Sequence, residues 1–194
     1  EEACAWRGPL KALAPGALGA CLKVLSGKPG DKEKPKAACL CLLKALVAAV
    51  DDVGPVAHDV VKAALYGFEE RSQALRLEAA VLLRSCLDAS QPEAVQGLVG
   101  GLIPRVANLV DADWYKLIAE GLRLVSSLAC VVRPAFGRDD DNDNAAAAAP
   151  PPSDEEVGVA AALYGAARPR LETHDIDHEI KECAIDAVGT LAAR

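Results

Sequence analysis

Ile180-Lys181-Glu182-Cys183-Ala184-Ile185 reads as the opening of an amphipathic helix, and three earlier stretches open in the same way. They are Pro35-Lys36-Ala37-Ala38-Cys39-Leu40, Arg76-Leu77-Glu78-Ala79-Ala80-Val81 and Leu117-Ile118-Ala119-Glu120-Gly121-Leu122. Each sets an acidic or small residue before a pair of small or apolar ones. Placing Ala37, Glu78, Glu120 and Glu182 in register gives spacings of 41, 42 and 62 residues. The last spacing is one period lengthened by about 20 residues. A stretch foreign to the rest supplies that excess: Asp139-Asp140-Asp141-Asn142-Asp143-Asn144, five alanines, then Pro150-Pro151-Pro152. Clustered like charges followed by a proline run cannot build a packed core, so 139–156 reads as a solvated insertion.

A period near 42 with two helices per unit belongs to the HEAT and armadillo range, not to TPR or ankyrin repeats. The sequence therefore predicts an all-α fold, a HEAT-repeat α-solenoid. Helices are expected over 17–26, 36–50, 55–67, 74–88, 92–110, 114–132, 155–171 and 177–192, separated by Gly27/Pro29/Gly30, Gly54/Pro55, Ser90/Pro92 and Asp111/Ala112/Asp113. The array divides into a partial repeat over 1–34, repeats over 35–138, the insertion, and a last repeat over 157–194. Ile180, Ala184, Ala187 and Leu191 make one buried stripe, and Ile118, Leu122, Val125 and Ala129 make another. An acid in the turn and a base six residues later recur at Glu70/Arg76 and Asp175/Lys181, and within one residue at Asp111/Lys116. Such acids can cap the second helices, and the opposite charges can pair between stacked units.

Composition agrees with this pattern. Of 194 residues, 52% are hydrophobic, 4% aromatic and 25% charged, and about a fifth are Ala. That is enough apolar material for a core, and too few aromatic residues for a β-sandwich or barrel. The net charge of −7 disfavours nucleic-acid binding, and no apolar run reaches membrane-spanning length because Lys44, Lys62, Arg84 and Glu120 interrupt the candidates. A chain that opens Glu1-Glu2 and lacks Met reads as a cut through something longer. Cys4, Cys21, Cys39, Cys41, Cys86, Cys130 and Cys183 are odd in number and form no CxxC pair, which suits reduced thiols in the cytoplasm or nucleus.

No phosphate-binding loop, zinc-protease or nucleophile-elbow motif is present. The one cluster that could hold zinc is His174, Asp175, Asp177, His178, Glu179, Glu182 and Cys183. Helix capping by Asp175 and Asp177, with an acidic first turn, accounts for the same residues without a metal. His58 has no triad spacing and reads as a surface or boundary residue. Trp114-Tyr115 suits packing between units better than a partner anchor. Asp51-Asp52 and Glu69-Glu70 read as solvated turn residues. Neither catalysis nor a cofactor is expected.

Leu102-Ile103-Pro104, Val110-Asp111-Ala112-Asp113-Trp114-Tyr115-Lys116-Leu117-Ile118-Ala119-Glu120-Gly121-Leu122 and Val131-Val132-Arg133-Pro134 together resemble a central stretch of the cullin-associated neddylation-dissociated family, with its pattern LVPxV, DPxYKIxSEAL and VxRP. Asp175-Ile176-Asp177-His178-Glu179-Ile180-Lys181-Glu182-Cys183-Ala184-Ile185 is similar to that family's DIDQEVKERAI, and Leu75-Arg76-Leu77-Glu78-Ala79 fits the corresponding repeat start. Gly121 stands where the pattern has Ala, and the 139–156 insertion is longer. The resemblance covers about residues 35–194. It implies part of a long HEAT scaffold that wraps an unneddylated cullin with its RING subunit, blocks the adaptor site and promotes substrate-receptor exchange by binding alone. Importin-type receptors and phosphatase scaffolds share the architecture, but acidic inner helices suited to basic cargo are not found here. The inner positions Lys116, Glu120, Arg123, Glu182 and Asp186 are mixed in sign, and as exposed second-helix residues they are the candidate partner contacts.

Overall fold

A computed structural model describes residues 7–50, 52–133, 151–172 and 177–193, with side chains in the first helix from Pro15 onward. The helices among them are α1 (Arg7–Leu25), α2 (Glu33–Ala49), α3 (Ala57–Phe68), α4 (Gln73–Ala89), the single turn α5 (Pro92–Val95), α6 (Val99–Val110), α7 (Tyr115–Val132), α8 (Asp154–Glu172) and α9 (His178–Ala193). No strand occurs among the described residues.

The helices form two layers. The second helices α2, α4, α7 and α9 stack in sequence order, and each packs on its own first helix, α1, α3, α6 or α8. Leu40 and Leu43, then Leu82 and Leu83, then Leu117, Leu122, Leu124 and Leu128 fill the space between layers. Both expected stripes face this core, with Leu191 half-buried at the end of the second. The structure is thus an all-α solenoid of stacked helix pairs.

Three boundaries differ from expectation. α1 starts ten residues earlier than residue 17, because Pro15 removes one backbone donor while the remaining ladder carries the helix through. The helix expected over 92–110 is divided into α5, a 3₁₀ turn (Gln96–Leu98) and α6. Gly97, Gly100 and Gly101 weaken helix formation there, and Val95 is drawn wholly into the core. The same device precedes α3, where buried Val53 leads into the 3₁₀ turn Gly54–Val56; Val53 and Val95 are 42 residues apart. Finally, α8 begins at Asp154, one residue before the helix start expected at 155, so it is the end of the insertion at 156 that moves back. The Ser153 hydroxyl and the Glu156 backbone N–H meet at 3.3 Å, while Glu156 accepts from the Ser153 backbone N–H at 2.6 Å. This is a capping box, and it makes the acidic residues a helix start. Residues 139–150 of the insertion lie outside the described residues.

Two glycines set close approaches between helices. A Cβ on Gly67 would stand 2.4 Å from the Ala79 Cβ, so α3 and α4 touch backbone to side chain. A Cβ on Gly121 would lie 3.0 Å from the Val110 backbone nitrogen and 3.1 Å from its Cγ2. The Gly that departs from the family pattern therefore lets α7 close against the end of α6.

The turns between first and second helices are tied to the following unit. Lys36 is 1% exposed, and its ammonium donates to Gly27 O (3.0 Å), Lys28 O (2.8 Å) and Glu70 Oε1 (2.5 Å). Glu70, expected to be solvated, is buried instead, because Lys36 pairs with it and its Oε2 accepts from the Gly30 N–H at 2.8 Å. Arg105 pairs with Glu69. Arg170 donates to Val110 O (2.9 Å) and Ala112 O (3.4 Å), satisfying carbonyls at the end of α6. Among the described residues the expected acid–base ladder is therefore made at one level, Lys36 with Glu70. Asp111 faces Arg170 at 3.8 Å instead of Arg76, whose Nε is buried without a partner. Asp177 Oδ1 accepts from the Glu179 N–H at 3.0 Å and caps α9, whereas the turns before α4 and α7 make no side-chain cap. Asp175 lies outside the described residues.

Candidate functional site

The second helices carry two groups of paired charge that bridge from one helix to the following one. Lys44 on α2 pairs with Glu78 on α4. Arg84 Nε on α4 donates to Glu120 Oε1 on α7 at 2.6 Å, and Glu120 Oε2 lies 3.3 Å from Arg123 Nη1. Arg123 Nη2 reaches across to Glu179 Oε1 on α9 at 2.7 Å. Arg84 also faces Asp88 at 3.6 Å, and Asp88 accepts from the Ser127 hydroxyl at 2.6 Å. The hydrogen bond to Glu179 holds the Arg123 guanidinium above its ordinary value. The spacing is regular: Lys44, Arg84 and Arg123 each reach an acid on the following second helix.

The candidate contacts separate on these helices. Glu120 is not exposed; it is 3% accessible, because Arg84 and Arg123 close over its carboxylate. Burial of a carboxylate requires such compensation, so its role is to join neighbouring helices. Arg123 is half-buried and engaged on both sides. Lys116 is exposed, with its ammonium 5.9 Å from the Trp114 ring and 5.8 Å from the Tyr115 ring. Trp114 packs against the core and Tyr115 is exposed. Glu182 and Asp186 are exposed on α9. The residues missed in the sequence are Lys44, Arg84 and Glu179. Lys44, Arg84 and Arg123 recur at nearly the repeat period, and that spacing was the available signal.

His58 is exposed on α3. His174 and Asp175 of the possible zinc cluster lie outside the described residues; among those described, no three His, Cys, Asp or Glu residues group as metal ligands. None of the six described cysteines is in a disulfide. Burial pushes the Cys86 thiol up to about 11 and raises that of Cys183. Beneath the start of α8 is an apolar recess of about 440 Å³, lined by Ala129, Val132, Val159, Leu163, Val188 and Leu191 among others. Among the described residues no helix is long and apolar enough to cross a membrane.

A stacked pair of helix layers, tied through charges at the repeat period, is the frame on which relatives can be compared. The family described as CAND1-like, TPR repeats, matches residues 37–188. The chain belongs to this family. Its units are nonetheless longer than the 34-residue TPR, as the 42-residue step from Val53 to Val95 shows. Three similar proteins carry the name Cullin-associated NEDD8-dissociated protein 1. The one from Drosophila melanogaster is 25% identical over 163 residues, covering 82% of this chain and 12% of that protein. The one from Arabidopsis thaliana is 27% identical over 161 residues, with 80% and 12% covered. The one from Dictyostelium discoideum is 24% identical over 117 residues, with 60% and 8% covered. The chain thus spans a small part of the length of these relatives. It is a helical-repeat scaffold related to cullin-associated proteins.

Proposed function

We propose that this chain is a section of a non-enzymatic scaffold that binds the core of a cullin–RING ubiquitin ligase and promotes exchange of its substrate receptors. The supporting observation is the family match, which runs from α2 into α9 and so takes in all four second helices. Binding of this kind uses an extended surface and fixed helix positions, not a reactive group. Cullin and its RING subunit are the partners, in the cytoplasm or nucleus. Lys116, Glu182 and Asp186 are the contacts of choice, because Glu120 and Arg123 are already committed to neighbouring helices.

The test is co-purification of the tagged protein with a purified cullin–RING pair, with and without NEDD8 attached to the cullin. Capture of the unmodified pair, weakened at least tenfold by neddylation, is expected. Equal capture of both forms, or capture of neither, overturns the reading.

A further inference from the structure

Cys21 lies four residues before the end of α1, and Cys39 six residues after the start of α2. At about 1.5 Å per residue, an antiparallel hairpin brings these positions to nearly one level. Both lie on α1 and α2 where these two helices pack on one another, and the neighbouring Cys39 acts on the Cys21 thiol. Cys21 is buried, and Cys39 is half-buried against the same core. The neck of the hairpin is closed as well, since Lys36, one turn before Cys39, bonds the carbonyls of Gly27 and Lys28 just beyond α1. The fold therefore sets the two cysteines at one level of the packed α1–α2 pair. Burial and the contact with Cys39 push the Cys21 thiol up to about 11, so Cys21 is the poorer initial nucleophile.

We propose that Cys21 and Cys39 are an oxidisable pair that closes as a disulfide between α1 and α2, with a hydroperoxide such as hydrogen peroxide as the oxidant. The half-buried Cys39 reacts first. Its thiolate attacks a peroxide oxygen, the S–O bond forms as the O–O bond breaks, and hydroxide leaves and takes up the thiol's proton as water. The Cys21 sulfur then attacks the Cys39 sulfur. The S–S bond forms, the S–O bond breaks, and a second water carries away the Cys21 proton. Two thiols lose two electrons and one peroxide gains them. Cys41 is exposed but stands two residues along α2, turned away from the side that meets α1, so it has no access to Cys21.

The intact protein is treated with dilute hydrogen peroxide, its remaining thiols are blocked with N-ethylmaleimide, and tryptic peptides are weighed without reduction. A cross-linked species joining peptides 12–23 and 37–44 is expected, lighter by two hydrogens than peptide 12–23 plus peptide 37–44 alkylated at Cys41, and lost on treatment with dithiothreitol. It should persist in Cys41→Ser and vanish in Cys39→Ser and Cys39→Ala, with thermal melts of the reduced proteins verifying that each variant folds. Two results overturn the proposal: alkylation or over-oxidation of both cysteines without the cross-link in the wild-type protein, or a cross-link that survives loss of Cys39.

Discussion

At the scale of single residues, the Lys36 ammonium illustrates how a buried charge is tolerated. It has two carbonyls and one carboxylate around it, and that carboxylate also receives a backbone N–H from Gly30. Removing one partner of a buried pair strands the other, which costs about 3–5 kcal/mol. Glu70→Ala should therefore lower stability by about 3 kcal/mol, measured as a reduced urea midpoint, while the double variant Lys36→Met/Glu70→Leu should recover most of it. An unchanged midpoint in Glu70→Ala would show that the pair contributes little. The sequence marked Glu70 as a turn acid that pairs between units, but not with which base. Gly30 occupies the acid's place in the preceding unit and answers with its backbone, which no side-chain pattern records. Gly121 is similar: its meaning lies in the 3.0 Å approach of the Val110 nitrogen, a distance set by two helices together.

At the scale of an element, α8 shows how one group of acids can read as loop or as helix. Asp154, Glu155 and Glu156 follow a proline run and look solvated, yet Ser153 and Glu156 are the two ends of a capping box. Ser153→Ala should cost about 1 kcal/mol of stability. The backbone and side-chain hydrogen bonds from Ser153 hold the Glu156 carboxyl below its ordinary value. A carboxyl lowered on folding stabilises the fold at neutral pH and ceases to do so as pH falls through its folded value. The backbone bond survives in Ser153→Ala, so its melting temperature should fall slightly less on acidification than that of the wild type; parallel curves would show that the hydroxyl adds nothing to the Glu156 shift. Helix existence was readable throughout, because apolar periodicity survives any register of packing. The break at residues 96–98 was not, since a periodic stripe continues smoothly through a 3₁₀ turn and only the burial of Val95 reveals the step.

At the scale of the whole molecule, the candidate surface was legible in part. The repeat placed Glu120, Arg123 and Glu182 on one face, but exposure was inferred from helical phase alone. Whether a neighbouring unit supplies a partner depends on the stacking distance, and here Arg84 and Glu179 do so. In a repeat array, stability is close to a sum of units and their nearest-neighbour interfaces. Glu120→Ala should weaken the interface between α4 and α7 by roughly 2 kcal/mol. In hydrogen-exchange measurements, α8 and α9 should lose protection before α2 and α4 do. A uniform loss along the chain would show that the array opens as one unit. The ties at the turns, through Glu70, Arg105 and Arg170, all lie along the edge where first helices pass into second helices. The extra residues between α7 and α8 enter at the other edge, where one unit hands over to the following one. Length can therefore be spliced into this solenoid at its handover edge, leaving the stitched edge in step.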